Sequence, residues 1–162
     1  MRKIVFKVLF LRFYSYFCTI NTIVMAKVKS KTSGPWQQQN VEFIRQISLD
    51  PEAKSLGRGV YYKVVSVGTG DQSPQQFSVV TCHYKGSLIN GRVFDNSYER
   101  GCPEAFRCRD LISGFTLALL HMKVGDHWLV YIPFDQGYGT RNSGPIPAFS
   151  TLIFEIELLA IS

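Results

Sequence analysis

The residue whose position most invites a chemical role is Asp95. It stands directly after Val93 and Phe94, which should face or flank a core, within the stretch HYKGSLINGRVFDNS at 83–97. That stretch contains no second acid, so it does not indicate acid–base chemistry by paired carboxylates. The question is therefore which polar groups a lone carboxylate serves beside an aromatic ring.

Aromatic side chains form the second candidate feature. Each of them has a simpler interpretation as part of a packed core. Residues 134–149, however, are rich in glycine and proline and form a segment long enough to be a functional loop, an unusual place for a purely structural tyrosine. The aromatic residues on segments that could converge on one face of a sheet are Tyr84, Phe94, Phe106, Phe115, Tyr138 and Phe154.

The histidines and cysteines are not spaced as in a metal or cofactor site. His83, His121 and His127 are too scattered for a helical or hairpin set of ligands. The four cysteines include no C-x-x-C pair, and the chain has no G-x-S-x-G motif. We therefore expect no metal, no cofactor and no nucleophilic catalysis.

The basic charge of the chain is confined to its N-terminal part. The net charge is +6, yet residues 1–31 alone carry seven lysines and arginines and no acid, which leaves residues 32–162 with a charge of −1. A nearly neutral domain lacks the basic surface that nucleic-acid binding requires. We therefore predict no nucleic-acid partner.

Residues 1–31, a basic and apolar extension, allow three interpretations. They resemble a signal peptide cleaved after Ala26, which would place the protein in the periplasm or cell envelope. An uncleaved membrane anchor is the second interpretation, although Arg12 would be costly at the centre of a spanning helix. The third, which we favour, is translation from Met25, and it would give a cytoplasmic protein.

Residues 32–58 are predicted to be a linker that contains one short helix. The first part, 32–39, is polar and contains a Gly-Pro pair. Asn40 is a suitable N-cap for a helix that runs to about Ser48, where an Asp-Pro pair follows. The remaining residues, 59–162, are predicted to form the functional domain.

From Gly59 onwards the apolar residues recur with a period of two, which predicts strands. In one of them alternation places Cys82 towards the core, as a buried thiol. The Asn90-Gly91 pair predicts a tight hairpin, and residues 111–121 form an apolar segment of helical length. We therefore predict an α+β fold, with an antiparallel sheet of about five strands wrapped around one short helix.

Six motifs occur in order along residues 59–161: YKVVSVGTG, VTCHYKGSLINGRVFDNS, PEAFRCRDLISGF, ALLHMKVGDHWLVYIP, GYG and GPIPAFSTLIFEIELL. With them the chain closely resembles the FKBP-type peptidyl-prolyl cis-trans isomerases, particularly the bacterial branch related to macrophage infectivity potentiators. The resemblance implies an FKBP-like fold and an isomerase of the EC 5.2.1.8 type. Such an enzyme accelerates rotation of X-Pro bonds in folding proteins by stabilising the twisted amide without a covalent step.

The resemblance also implies a set of site residues. The catalytic set is Tyr84, Phe94, Asp95, Ile112 and Tyr138, and the substrate-binding set is Phe106, Leu111, Phe115, Phe154 and Ile146. Arg100 falls where the family often has an arginine close to the pocket aspartate. The expected role of Asp95 is then to orient polar groups at the pocket edge.

The chain departs from the family pattern in two places. Phe115 stands where the family usually has a tryptophan at the pocket floor, and Ile146-Pro147-Ala148 stands where it has Ile-Pro-Pro. These differences leave open an alternative function, a binding or chaperone module with little isomerase activity.

The resemblance implies partners as well. Polypeptides that contain proline are the expected substrates, and macrolide inhibitors of the family are candidate ligands. Larger members carry a long N-terminal dimerisation helix, of which only the short helix at about 40–48 remains, so we predict a monomer. Contact with a membrane is expected only if residues 1–31 form an uncleaved anchor.

Overall fold

The computed structural model describes residues 34–162, and the predictions for residues 1–31 lie outside that part. The two α-helices are α1 (Pro35–Ser48) and α2 (Ser113–Leu119), and single turns of 3₁₀ helix lie at Cys108–Asp110 and Phe134–Gln136. The strands are β1 (Lys54–Gly57), β2 (Val60–Ser66), β3 (Val79–Leu88), β4 (Val93–Asn96), β5 (Glu104–Arg107), β6 (His127–Ile132) and β7 (Leu152–Ile161).

All seven strands belong to one antiparallel sheet, in the order β1-β2-β6-β7-β3-β4, with β5 also paired to β3. The predicted α+β fold is confirmed, with more strands than the sequence indicates. The two additional strands are β1 and β5, each four residues long, with three exposed residues in β1 and two in β5. Four residues are too few for a period of two to stand out, which is why the sequence does not reveal them.

The two long central strands, β3 and β7, direct alternate side chains into the core. In β3 the inward set includes Val80, Cys82 and Tyr84, all buried, while the residues between them are half exposed. Cys82 has no exposed surface, and burial raises the pKa of its thiol to about 12. The prediction of a buried thiol at this position is confirmed.

Helix α2 packs across the sheet through an apolar stripe. Phe115, Ala118 and Leu119 are buried on it, as the helical spacing predicts. Its close approach to β6 depends on Gly114, because a Cβ at that position would lie 2.3 Å from Cγ2 of Ile132. The helix is shorter than the predicted segment 111–121, since residues 111 and 112 are extended and form its approach.

The predicted start of helix α1 is wrong. The helix begins at Pro35 with Gly34 as its N-cap, so Asn40 lies inside it and does not cap it. Proline is well suited to the first helical position, because its fixed φ is helical and its missing N–H has no intrahelical partner there. Asn40 is instead fully buried, with its amide bonded to other groups.

The predicted hairpin at Asn90-Gly91 is present between β3 and β4. The Leu88 N–H donates to the Arg92 carbonyl at 2.9 Å, and the Gly91 N–H donates to the Leu88 carbonyl at 2.9 Å. Gly91 has φ +83°, a conformation that costs a residue with a Cβ.

Within residues 34–162, neither helix has the length and apolar character needed to cross a membrane. The predicted boundaries between the extension, the linker and the domain stay predictions.

Candidate active site

A pocket of about 450 Å³ opens between the sheet, the approach to α2 and the loop at 134–149. Its size is typical of small-ligand sites. All ten residues in the predicted site line this one pocket: Tyr84, Phe94, Asp95, Phe106, Leu111, Ile112, Phe115, Tyr138, Ile146 and Phe154. The sequence did not single out four further lining residues, Asp110, Ser143, Gly144 and Pro145.

The aromatic walls meet edge to face. Phe154 is the common partner, with ring centroids 5.0 Å from Phe115 and 5.6 Å from Phe94, each at an interplanar angle of 84°. Tyr84 stands perpendicular to Phe115 at 6.1 Å. Edge-to-face contacts of this kind fix the orientation of each ring. The walls are therefore positioned by the fold, and ring surfaces line the cavity.

Gly86 is a residue behind these walls whose importance the sequence does not show. It pairs with Asp95 across β3 and β4 and with Phe154 across β3 and β7. A Cβ there would lie 2.5 Å from Cε2 of Phe94 and 2.8 Å from Cε1 of Phe154. The two rings therefore occupy space that only glycine leaves open.

The polar edge of the pocket is a network around Asp95. The Tyr84 hydroxyl donates to Oδ2 of Asp95 at 2.6 Å, and Arg100 donates through Nη1 to Oδ1 of Asp95. Arg100 also donates through Nη2 to the Tyr84 oxygen at 3.1 Å and to Glu104. The second acid that stabilises Arg100 is thus Glu104, which stands opposite Cys82 in the β3–β5 pairing and is not apparent from the sequence.

This network sets the protonation states at the pocket edge. Burial would raise the pKa of Asp95, but hydrogen bonds from Tyr84 and Arg100 outweigh it and lower that pKa. Burial and the bond to Asp95 raise the pKa of Tyr84. At neutral pH Asp95 is therefore a carboxylate that accepts hydrogen bonds, and Tyr84 keeps its proton.

Two residues that line the pocket supply hydrogen-bond donors outside this network of bonds. Ile112 precedes α2 with φ −59° and ψ 146°, and its carbonyl accepts from Phe115 and Thr116, while its N–H has no partner within residues 34–162. The Tyr138 side chain is 43% exposed, and burial of its hydroxyl beside Asp95 raises the pKa of that group. Both groups can donate to an oxygen of a bound molecule.

The outer wall of the pocket comes from the loop at 134–149. Ser143 and Ile146 form a two-way backbone bridge, with each N–H donating to the other's carbonyl at 2.9 Å. Gly144 between them has φ +53°. The bridge turns Ile146 inward, where only 5% of it is exposed, and it supplies an apolar face opposite the aromatic walls.

The arrangement suits recognition of an apolar ring with an adjacent carbonyl. In the part of the chain that the structure describes, no group of three or more His, Cys, Asp or Glu side chains is placed to hold a metal ion. The pocket has apolar walls, two donors and one ionised acceptor network. These groups can bind and desolvate a substrate by non-covalent contacts.

Comparison with known proteins places these features in a family. Residues 70–159 match a sequence model described as FKBP-type peptidyl-prolyl cis-trans isomerase. The macrophage infectivity potentiator of Trypanosoma cruzi is 40% identical over 120 residues, covering 74% of this chain and 61% of that protein. The isomerase Mip of Coxiella burnetii is 42% identical over 112 residues, covering 68% and 48%.

Solved structures show the same fold. A peptidyl-prolyl cis-trans isomerase from Pseudomonas syringae pv. tomato has a TM-score of 0.74 at 36% identity and covers 81% of this chain and 98% of its own. FkpA from Escherichia coli has a TM-score of 0.76 at 31% identity and covers 95% and 71%.

The chain spans 61% and 48% of the two curated relatives described above, so the likeness concerns part of their length. The match nevertheless covers more than half of this chain, and it includes the strands, the helix and the loop that build the pocket. On this evidence the chain belongs to the family of FKBP-type peptidyl-prolyl cis-trans isomerases.

Proposed function

We propose that this protein is a peptidyl-prolyl cis-trans isomerase that binds X-Pro segments of polypeptides in the pocket described above. The observation that carries the proposal is one cavity in which aromatic walls, an unpartnered backbone N–H and an ionised polar edge occur together. Its relatives' names support the same activity.

The chemical task requires no covalent step. Rotation about an X-Pro bond is slow because it breaks amide resonance, with a barrier of roughly 18–20 kcal/mol. A catalyst has only to bind the twisted amide more tightly than the planar one. The twisted amide has the smaller charge separation, so a water-poor site favours it over the planar form.

In this proposal the aromatic side chains hold the proline ring. Phe154 and Phe115, which are 4% and 3% exposed, form the floor of the pocket, while Phe94 forms a side wall. Leu111, Phe106 and Ile146 complete the apolar surface. The N–H of Ile112 anchors a substrate carbonyl, and the hydroxyl of Tyr138 is the second donor.

Asp95 acts through its neighbours. Its carboxylate holds the Tyr84 hydroxyl and the Arg100 guanidinium at the pocket edge. Since its pKa is lowered, it does not supply a proton to the amide nitrogen. It is a positioning residue in this mechanism. The role of the lone acid in the 83–97 stretch is therefore to hold the polar groups at the pocket edge.

The substrate class that follows is proline-containing polypeptide, and slow proline-limited folding is the process it would accelerate. Macrolide binding, the monomeric state and the cellular location stay predictions.

The decisive experiment is a protease-coupled or NMR-exchange assay of the cis/trans rate on X-Pro peptides, with the full chain beside a Phe94→Ala, Tyr138→Phe double variant. We expect a rate well above background for the full chain and a fall towards background in the variant. A background rate for both proteins, with the fold intact and the peptide still bound, would identify a binding or chaperone module instead.

A further inference from the structure

Helix α1 is connected to the chain that returns from the pocket loop by a fully buried asparagine. Oδ1 of Asn40 accepts from the Thr151 N–H at 2.6 Å, and Nδ2 donates to the Trp36 carbonyl at 2.8 Å. The Thr151 hydroxyl donates back to the Asn40 carbonyl at 3.2 Å. Asn40 and Thr151 are 0% and 1% exposed. Truncating either side chain would therefore leave a buried polar atom of the other residue without a hydrogen-bond partner.

A second connection reaches the loop itself. The Trp36 indole N–H donates to the Ser150 hydroxyl at 3.2 Å, and that hydroxyl donates to the Pro147 carbonyl at 2.6 Å. Ser150 is 3% exposed. Pro147 directly follows Ile146, so this relay ends one residue from the outer wall of the pocket.

The segment held in this way also fixes the Tyr138 side of the loop. The Phe149 N–H donates to the Gly139 carbonyl at 2.9 Å. Phe149 has φ +61°, an unusual conformation for a residue with a Cβ, which the surrounding contacts must maintain. Both ends of the outer wall, Tyr138 and Ile146, are therefore tied to the segment that α1 holds.

We propose that α1 positions the outer wall of the pocket, and that Trp36, Ser150 and Asn40 are positioning residues for X-Pro binding. The inference rests on the proposed isomerase function for its effect on substrate, while the connection itself is independent of it. Two glycines of the loop have positive φ, Gly144 inside the Ser143–Ile146 bridge and Gly139 outside it, and glycine can leave such conformations readily. The helix supplies contacts that keep such a loop from opening locally.

The first test measures the wall without a substrate. Native-state amide hydrogen exchange is recorded for Ser143, Ile146 and Phe149 in the full chain and in two variants, Trp36→Phe and Ser150→Ala. Both variants remove the Trp36–Ser150 bond; Ser150→Ala also removes the bond to the Pro147 carbonyl, and Trp36→Phe also removes part of the indole packing. We expect exchange at these three amides to accelerate about fivefold, the effect of losing one hydrogen bond of ordinary net strength.

The second test uses the isomerase assay. We expect each variant to raise KM by a similar factor, because the wall acts on peptide binding. A smaller fall in kcat is expected, because Tyr138, one of the two donors, lies at one end of the wall, while the floor residues and the Ile112 N–H lie outside it. The Trp36→Phe, Ser150→Ala double variant should have less than the sum of the two single effects on KM, since Ser150→Ala already deletes the bond that Trp36→Phe removes. Asn40→Ala should show the larger effect if it folds, and the two milder variants keep the test valid if it does not.

Two controls separate positioning from general destabilisation. Leu158→Ala removes buried apolar volume from the end of β7 that is remote from the loop, and should lower the midpoint of denaturant unfolding without a selective rise in exchange at the three loop amides. Arg45→Ala changes the exposed face of α1, where Arg45 pairs with Glu42, and should leave exchange and KM as they are.

The outcomes are distinct. Unchanged exchange at the loop amides and unchanged KM in Trp36→Phe and Ser150→Ala would overturn the inference even if the enzyme is active. A full chain with no activity above background would defeat the proposed function, and accelerated loop exchange in the variants would then still establish the connection between helix and wall.

Discussion

At the scale of single residues, the pocket depends on a few atoms with strict partners. Asp95 remains charged because Tyr84 and Arg100 donate to it, and Gly86 leaves the space that Phe94 and Phe154 fill. The role of Asp95 depends on its charge, and the role of Gly86 depends on its small volume. The two residues therefore give separate predictions.

Replacing Asp95 by asparagine keeps its size and removes the charge. We expect Asp95→Asn to raise KM about threefold to tenfold, because Arg100 loses an ionic partner that is only partly shielded from water. The wild-type rate should be flat between about pH 5 and pH 9, since Asp95 stays ionised and Tyr84 stays protonated there. The measurement is a pH series of kcat and KM.

The neighbouring Glu99→Gln, on the exposed surface, is the matched control. Loss of turnover in Asp95→Asn with peptide binding and stability intact would contradict the positioning role proposed for Asp95.

Adding one methyl group at Gly86 should displace the aromatic rings that form the pocket walls. In Gly86→Ala the Cβ would crowd both rings, and we expect a loss of about 1–3 kcal/mol in the free energy of unfolding, together with weaker peptide binding. Denaturant titration and peptide affinity measure the two effects. A second change, Phe94→Leu in the Gly86→Ala protein, should recover part of the stability. A fully stable Gly86→Ala protein with normal binding would contradict this account of the walls.

At the scale of elements, register decides which side chains meet. The β3–β7 pairing aligns Tyr84 with Ile156 and Gly86 with Phe154, and β4 then pairs against the other edge of β3. The hairpin at Asn90-Gly91 sets the start of that second pairing. A turn residue outside the pocket therefore contributes to placing Phe94 and Asp95.

The hairpin can be tested through Gly91. We expect Gly91→Ala to lower the free energy of unfolding by about 1–2 kcal/mol, because alanine is strained at the positive φ of this position. Gly91→Asn should lose less, since asparagine tolerates that conformation. Equal stability of the two variants, measured by denaturant unfolding, would mean that the turn relaxes without cost.

Across the whole molecule, carboxylates that bond to basic side chains give stability that depends on pH. Asp50 accepts from Lys63 at 2.6 Å between the segment after α1 and β2. Glu155 on β7 contacts His127 on β6 at 2.9 Å. Burial opposes ionisation of Asp50, but the Lys63 bond prevails and lowers its pKa, and the His127 bond lowers the pKa of Glu155.

Both carboxyl groups thus have a lower pKa in the folded chain than in the unfolded one. Their contribution to stability is complete above the unfolded pKa values, about 4, and is lost as the pH falls through the folded values. We expect the free energy of unfolding to be flat near pH 6 and to fall below about pH 4. The Asp50→Asn, Glu155→Gln double variant should be less stable at pH 6 and show a shallower fall. Parallel curves for the two proteins, from denaturant unfolding at each pH, would rule these groups out.

Features that depend on a local pattern of residues could be predicted before the fold was known. Alternation in β3, β6 and β7 identified the inward side chains, and Asn90-Gly91 identified the hairpin. The resemblance of the ordered motifs to a family supplied ten candidate site residues, which line one cavity together with four that it did not supply. The predictions of the inward side chains and of the hairpin agree with the structure, because the period of a strand and the conformational freedom of glycine are properties of the chain over a few residues.

Features that depend on contacts between residues far apart in the sequence became visible only in the folded chain. Asn40 looked like a helix cap, and its bonds to Thr151 cross 111 positions of sequence. Glu104 became a partner of Arg100 through the pairing of β5 with β3, and Gly86 became indispensable only when two rings converged on it. The hydrogen-bond partners of buried polar groups and the packing neighbours of buried side chains come from distant parts of the chain. No local pattern in the sequence therefore predicts them.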